Sequence, residues 1–128
     1  MSNTFCPIPW NFQAVRNNGD IRVCCQANVT ENQGVVRHED GTPYNAGRDN
    51  MEEARNATLM KEVRKNMLVG EWSQECGRCQ SEEAAGLNSR RQYELGVLQQ
   101  RLISPVQQCH HNTMSRSYTS TKLQSVAQ

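Results

Sequence analysis

Aromatic side chains, net charge and long apolar runs are all scarce in this 128-residue chain. Seven Phe, Trp and Tyr residues and an apolar fraction of 36%, with a mean hydropathy of -0.79, leave a modest hydrophobic core. A stabilising contribution beyond apolar burial is therefore expected. Fourteen Lys and Arg stand against 13 Asp and Glu, for a net charge of +1. That balance argues against a nucleic-acid or anionic-membrane partner. The chain has no apolar run of membrane-spanning length, and MSNTFCPIPW carries neither a basic n-region nor an apolar h-region. A cytoplasmic protein is the expectation.

Acidic residues are absent from the last 30 positions, where Arg101, Arg116 and Lys122 are the only charges and 14 residues are Ser, Thr or Gln. Beyond Ile103 no apolar period survives, so this segment lacks the burial to offset its ordering entropy. The expected division is a domain over residues 1–98 and a polar, disordered tail over 99–128.

Within the first part, Phe12 to Arg16 and Ile21 to Cys25 flank Asn17-Asn18-Gly19-Asp20, the pattern of a β-hairpin with a two-residue Asn-Gly turn. That register sets Gln13 opposite Cys24. Residues 26–49, with Gly34, Gly41, Pro43 and Gly47, read as a long loop containing a short strand at Val35-Val36. From Asn50 the period turns helical: Leu59, Met60, Val63, Met67 and Leu68 share one face, Asn56 offers a cap that splits the segment in two, and Gly70 stops it. Helix is expected again over Ser81–Ala85 and Ser89–Leu98, broken at Gly86. The fold class is α+β, a small N-terminal hairpin followed by helices around a cysteine site.

Six cysteines in a chain without an export signal point to metal or redox chemistry rather than a disulfide framework. On the same ground the Asn-x-Thr triplets at Asn28 and Asn56 read as chance. Cys76 and Cys79 form a C-x2-C pair whose sulfurs can converge on one metal-sized site, and the hairpin brings Cys24 beside the chain entering at Cys6. Such a site would tie the long loop shut. Spacing alone leaves structural zinc, an iron-sulfur cluster and thiol redox chemistry open. Cys25 should face away from Cys24 by strand alternation and serve as a small buried hydrophobe. Cys109, His110 and His111 lie in the polar tail and are not expected to bind metal; His38 reads as solvated. Arg22 and Arg78 are either solvated or placed to offset thiolate charge.

The strings FCPIPW, NNGDIRVCC, LMKEVRKNMLVGEW and ECGRCQSEEAAGLNSRRQYE together resemble the SPASM/twitch family, the auxiliary iron-sulfur domains attached to radical SAM enzymes. The resemblance covers residues 5 to 95, about 70% of the chain. It rests on the Cys6, twelve residues, Gly19, four residues, Cys24 spacing, on Trp10 after Cys-Pro-x-Pro, and on Val63-Arg64 ahead of a glycine. Glu83, Gly86, Ser89 and Arg91 follow at set offsets behind the second cysteine pair. The resemblance implies one [4Fe-4S] cluster on Cys6, Cys24, Cys76 and Cys79, as in the shortened twitch form.

The chain departs from complete enzymes of that kind. It has no C-x3-C-x2-C triplet and no glycine-rich SAM-binding segment, and it is shorter than the roughly 200 residues a barrel needs. It reads as a detached or truncated auxiliary domain, a fragment or a split product, with no SAM-cleaving activity of its own. Its implied partner is a radical SAM core in another segment or chain. Four protein thiolates fill every iron of such a cluster, which implies electron transfer or structural support rather than substrate ligation. The alternative expectation is a zinc-stapled interaction module with four cysteine ligands. A thiol oxidoreductase is disfavoured, because the C-x2-C pair lacks the preceding strand of a thioredoxin-like unit.

Overall fold

The structure, a computed structural model, describes residues 2–27 and 34–103. It divides into two compact units, Met1–Leu95 and Gly96–Gln128, and the features below belong to the first unless stated. Among the described residues no helix is long and apolar enough to cross a membrane. The class is α+β, with a two-stranded antiparallel hairpin and a set of helices.

The chain enters through a short helix α1 (Ile8–Asn11), with Pro7 at its N-cap and Pro9 in its first turn. Proline suits that place because its φ is already helical and its missing N–H would have had no intrahelical acceptor. The hairpin follows as β1 (Ala14–Val15) and β2 (Ile21–Arg22), with Ala14 opposite Arg22 and Val15 opposite Ile21. This is one residue away from the expected pairing of Gln13 with Cys24.

The loop explains the slip. It holds three residues, not two: Arg16 N–H donates to Asp20 O at 2.9 Å, Gly19 N–H donates to Arg16 O at 2.8 Å, and Gly19 takes φ +89°. That is a turn closed by a left-handed glycine, the three-residue solution to a hairpin. Contacts from the far end of the long loop favour it. Asn45 Nδ2 donates to Asn18 O at 3.0 Å, Ala46 N–H donates to Gly19 O at 2.8 Å, and a Cβ on Gly19 would stand 2.6 Å from the Asn45 amide.

The second edge of β2 is also occupied. Val36 N–H donates to Ile21 O, Val23 N–H to Gly34 O and Tyr44 N–H to Val36 O, all at 2.8–2.9 Å. Single β-bridges pair Arg22 with Val35 and Arg37 with Pro43, where a short strand was expected at Val35-Val36. Residues 34–46 are thus fastened by a backbone ladder, not by the thiol site alone. His38 is stacked on Tyr44 at 3.6 Å between centroids, with Nε2 3.3 Å from Asp49 Oδ1, so it is more than a solvated side chain.

The helical segment splits as expected into α2 (Met51–Arg55) and α3 (Thr58–Val69). Asn50 caps α2 by accepting from the N–H groups of Glu52 and Glu53. Asn56, expected to open the second helix, instead closes the first, and α3 begins after Ala57 with no side-chain cap. Gly70, at φ +82°, ends α3. Met60, Val63 and Met67 are buried against Ile8, Ile21, Val23 and Val36, with Trp10 and Leu59 at the margin. Leu68 does not join them: it is 65% exposed.

A 3-10 turn (Gln74–Cys76) leads into α4 (Gly77–Ala84), and α5 spans Arg90–Ile103. Residues 99–103, assigned to the tail from composition, therefore continue a helix; Gln99, Gln100, Arg101 and Leu102 are all good helix formers. The remainder of the expected disordered tail, including Cys109, His110 and His111, lies outside the described residues.

Candidate metal centre

Each expected ligand sits where a regular element begins or ends. Cys6 precedes Pro7 and α1, Cys24 follows β2, Cys76 closes the 3-10 turn as the N-cap of α4, and Cys79 lies in the first turn of α4. All four line one small cavity of about 20 Å³, with Ile8, Val23, Met67 and Trp72 among its apolar walls. The five described cysteines are free thiols.

Cys25 stays out of this group, but not for the expected reason. The strand ends at Arg22, so alternation no longer governs Cys24 and Cys25. Ala27 N–H instead closes a turn back to Cys24 O, leaving Cys25 exposed. The expectation of a small buried hydrophobe there is corrected.

Burial makes these thiols poor acids. Desolvation, reinforced by the neighbouring Cys24 and Cys79, pushes Cys6 up to about 11. Desolvation again, with Cys24, Cys6 and Cys79 close by, pushes Cys76 to about 12. Cys24 is raised in the same way. All three are neutral near pH 7 unless a cation compensates their charge, and a thiolate-binding metal does that.

Arg90 and Arg91, not Arg22 or Arg78, line the thiol cavity, and of the two Arg91 acts on Cys6. Arg78 is paired with Glu82 on the solvent side of α4, and Arg22 lines a different hollow. Arg91 lines the cavity and favours the ionised form of Cys6. Its guanidinium is held on three sides. Nε and Nη2 donate to the two oxygens of Glu83 at 2.8 and 2.6 Å, Nη1 donates to Phe5 O at 3.1 Å, and the Trp72 ring lies under it at 5.4 Å. Ser89 Oγ donates to the same Glu83 at 2.6 Å.

The clasp gives the residues behind the second cysteine pair a physical role. Glu83 stands one helical turn after Cys79, and Phe5 immediately precedes Cys6, so one arginine ties together two ligand-bearing segments. Val63-Arg64 has a parallel role: Val63 is core, while Arg64 Nε donates to Pro9 O at 3.0 Å and Nη2 to Arg55 O at 2.6 Å, joining α1 to the end of α2.

The donor set fits an iron-sulfur cluster in its chemistry, being four soft sulfur atoms in a largely apolar enclosure. Among the described residues no three Cys, His, Asp or Glu side chains converge tightly enough to hold a single metal ion. No protein-family model, curated protein or solved structure matches the chain, so the reading of this centre rests on its own residues.

Proposed function

We propose that residues 1–95 bind a [4Fe-4S] cluster through Cys6, Cys24, Cys76 and Cys79 and act as an auxiliary cluster domain. The domain serves electron transfer or structural support for a radical SAM core in another segment or chain. One observation carries this reading: four free thiols from three separate stretches of chain line a single cavity. When bound, such a cluster supplies one-electron chemistry.

The protein's own contribution is positional. The α4 N-terminus presents two sulfurs, the segment before α1 and the turn after β2 present one each, and the Arg91 clasp ties α4 to the segment before α1. No protein position is left for substrate ligation when all four sulfurs are engaged, so small-molecule chemistry belongs to the partner. A reducing, cytoplasmic setting suits four reduced thiols.

Anaerobic reconstitution followed by iron, sulfide and zinc analysis and a visible spectrum tests the reading. About four iron and four sulfide per chain, with broad absorbance near 400 nm, are expected. Cys76→Ala should lose cluster content and the stability that the cluster confers. Stoichiometric zinc without sulfide, full iron content in the Cys76 variant, or SAM cleavage by the isolated chain would each overturn it.

A further inference from the structure

The opposite face of the hairpin carries a second, unrelated feature. Ile21 and Val23 are buried in the core, whereas the paired Ala14 and Arg22 lie on the other face of the hairpin. There an open hollow of about 520 Å³ is lined by Ala14, Val15, Arg16, Asn17, Asn18, Arg22 and Cys25. Arg22 is only 5% exposed, and its Nε and Nη1 are buried without a hydrogen-bond partner among the described residues.

A buried guanidinium with unsatisfied donors is costly, and folds keep such groups where a counter-charge completes them. Arg16 adds to the cost. It stands close enough to depress the pKa of Arg22, behind burial itself as the larger cause, and Asp20 offsets this only in part. Ala14 stands directly opposite Arg22 on the paired strand.

We propose that Arg16 and Arg22 form an oxyanion site that takes a phosphate group. Two adjacent guanidiniums favour a dianion over a monoanion, and the planar fork of each matches phosphate oxygens in pairs. The hollow that both arginines line, about 520 Å³, has room for the group itself. Asn17 and Asn18 at the rim supply amides for whatever the phosphate is attached to. The site is independent of the cysteine cavity, so it stands or falls apart from the proposed cluster.

The test is titration of the full chain, followed by amide chemical shifts and thermal melting, with inorganic phosphate, with acetate, and with chloride at matched ionic strength. Phosphate should shift the amides of residues 14–22 saturably and raise the melting temperature, and acetate should do so at least tenfold more weakly. A small phosphate monoester that binds more tightly than inorganic phosphate would identify the ligand as an organic phosphate; equal binding would identify the free ion.

Arg16→Gln, at a half-exposed position, should weaken phosphate binding at least tenfold without loss of fold. Arg22→Met should abolish binding and raise the melting temperature of the phosphate-free chain, because it removes an unsatisfied buried charge. Equal responses to phosphate and chloride, or unchanged phosphate binding in Arg16→Gln, would overturn the proposal. If Arg22→Met does not fold, Arg16→Gln decides alone.

Discussion

The hairpin side and the thiol side of residues 1–95 are built on different principles. Between β2 and α3 the packing is apolar and closed: Ile21, Val23, Val36, Met60 and Val63 are fully buried, and backbone hydrogen bonds hold the loop strands to β2. Around α4 the situation is reversed. Neither α4 nor the 3-10 turn before it has a buried residue, and what holds them is the Glu83–Arg91 clasp and the four-thiol wall. The apolar layer between β2 and α3 is closed by its own side chains, whereas the thiol side is completed, on the proposed reading, by its cofactor. Perturbations should therefore separate into those that unfold the chain regardless of loading and those whose effect depends on it.

The largest expected effect lies in the apolar layer. Val63→Asp buries an unpaired carboxylate at a position 1% exposed and should cost on the order of 3–5 kcal/mol. Denaturant titration should show the loss with and without metal. A variant that folds and loads normally would show that α3 does not carry the core.

Alkaline pH comes next, and it should distinguish the two loading states. Cys6 and Cys76 hold their protons more tightly folded than unfolded, so the difference stabilises the metal-free fold below the ordinary thiol value of 9.0. It is lost as pH rises from there through about 11 and 12. In the loaded protein the sulfurs are already ionised, so this loss should be missing. Melting curves across that range should diverge between the two forms, and loading at pH 7 should release roughly four protons to a weakly buffered solution. Coincident curves would mean that the thiols are not the groups that matter.

Arg91→Gln probes the clasp itself. It removes three charge-assisted donors from Glu83 and Phe5, at an expected cost of about 1–3 kcal/mol, concentrated in the attachment of α4 and α5 instead of the hairpin. Hydrogen exchange should show faster opening over residues 77–95 with the amides of β2 unchanged. The Arg91 hydrogen bond, ahead of that from Ser89, holds Glu83 below the ordinary carboxylate range. The clasp's contribution is therefore present above that range and disappears as pH falls through the lowered value. The gap between variant and wild type should accordingly close in acid.

Local signals reported the apolar layer well and the thiol layer only in part. The period of Met60, Val63 and Met67, the stop at Gly70 and the break between α2 and α3 are all encoded within a turn or two of themselves. The hairpin register was not, because the choice between a two- and a three-residue loop is made by Asn45 and Ala46 from across the fold. Asn56 was misread for the opposite reason: its spacing suits either helix, and the side-chain bond from Nδ2 to Glu52 O at 3.2 Å commits it to the first. The C-x2-C pair and the two hairpin cysteines were visible as a set. Arg91 stood out only through the resemblance, and its role beside Cys6 did not, since it is held at the cavity by a partner eight positions earlier and a carbonyl near the N-terminus.

The smallest expected effect comes from two neighbouring residues, Cys24 and Cys25. Adjacent positions with the same side chain share composition and local sequence, so any difference between them must come from the turn that Ala27 closes onto Cys24 O. Cys24 is turned to the cavity and has its thiol pKa raised by burial, whereas Cys25 is exposed. Cys24→Ser should therefore remove a cluster ligand and lower iron content sharply. Cys25→Ser should leave iron content unchanged and shift stability by no more than about 0.5 kcal/mol, as for other surface substitutions. Iron and sulfide analysis of the two variants, reconstituted side by side, reads the difference directly. Equal losses would mean that the turn places both sulfurs on the cavity, and the four-thiol assignment would have to be redrawn around Cys25.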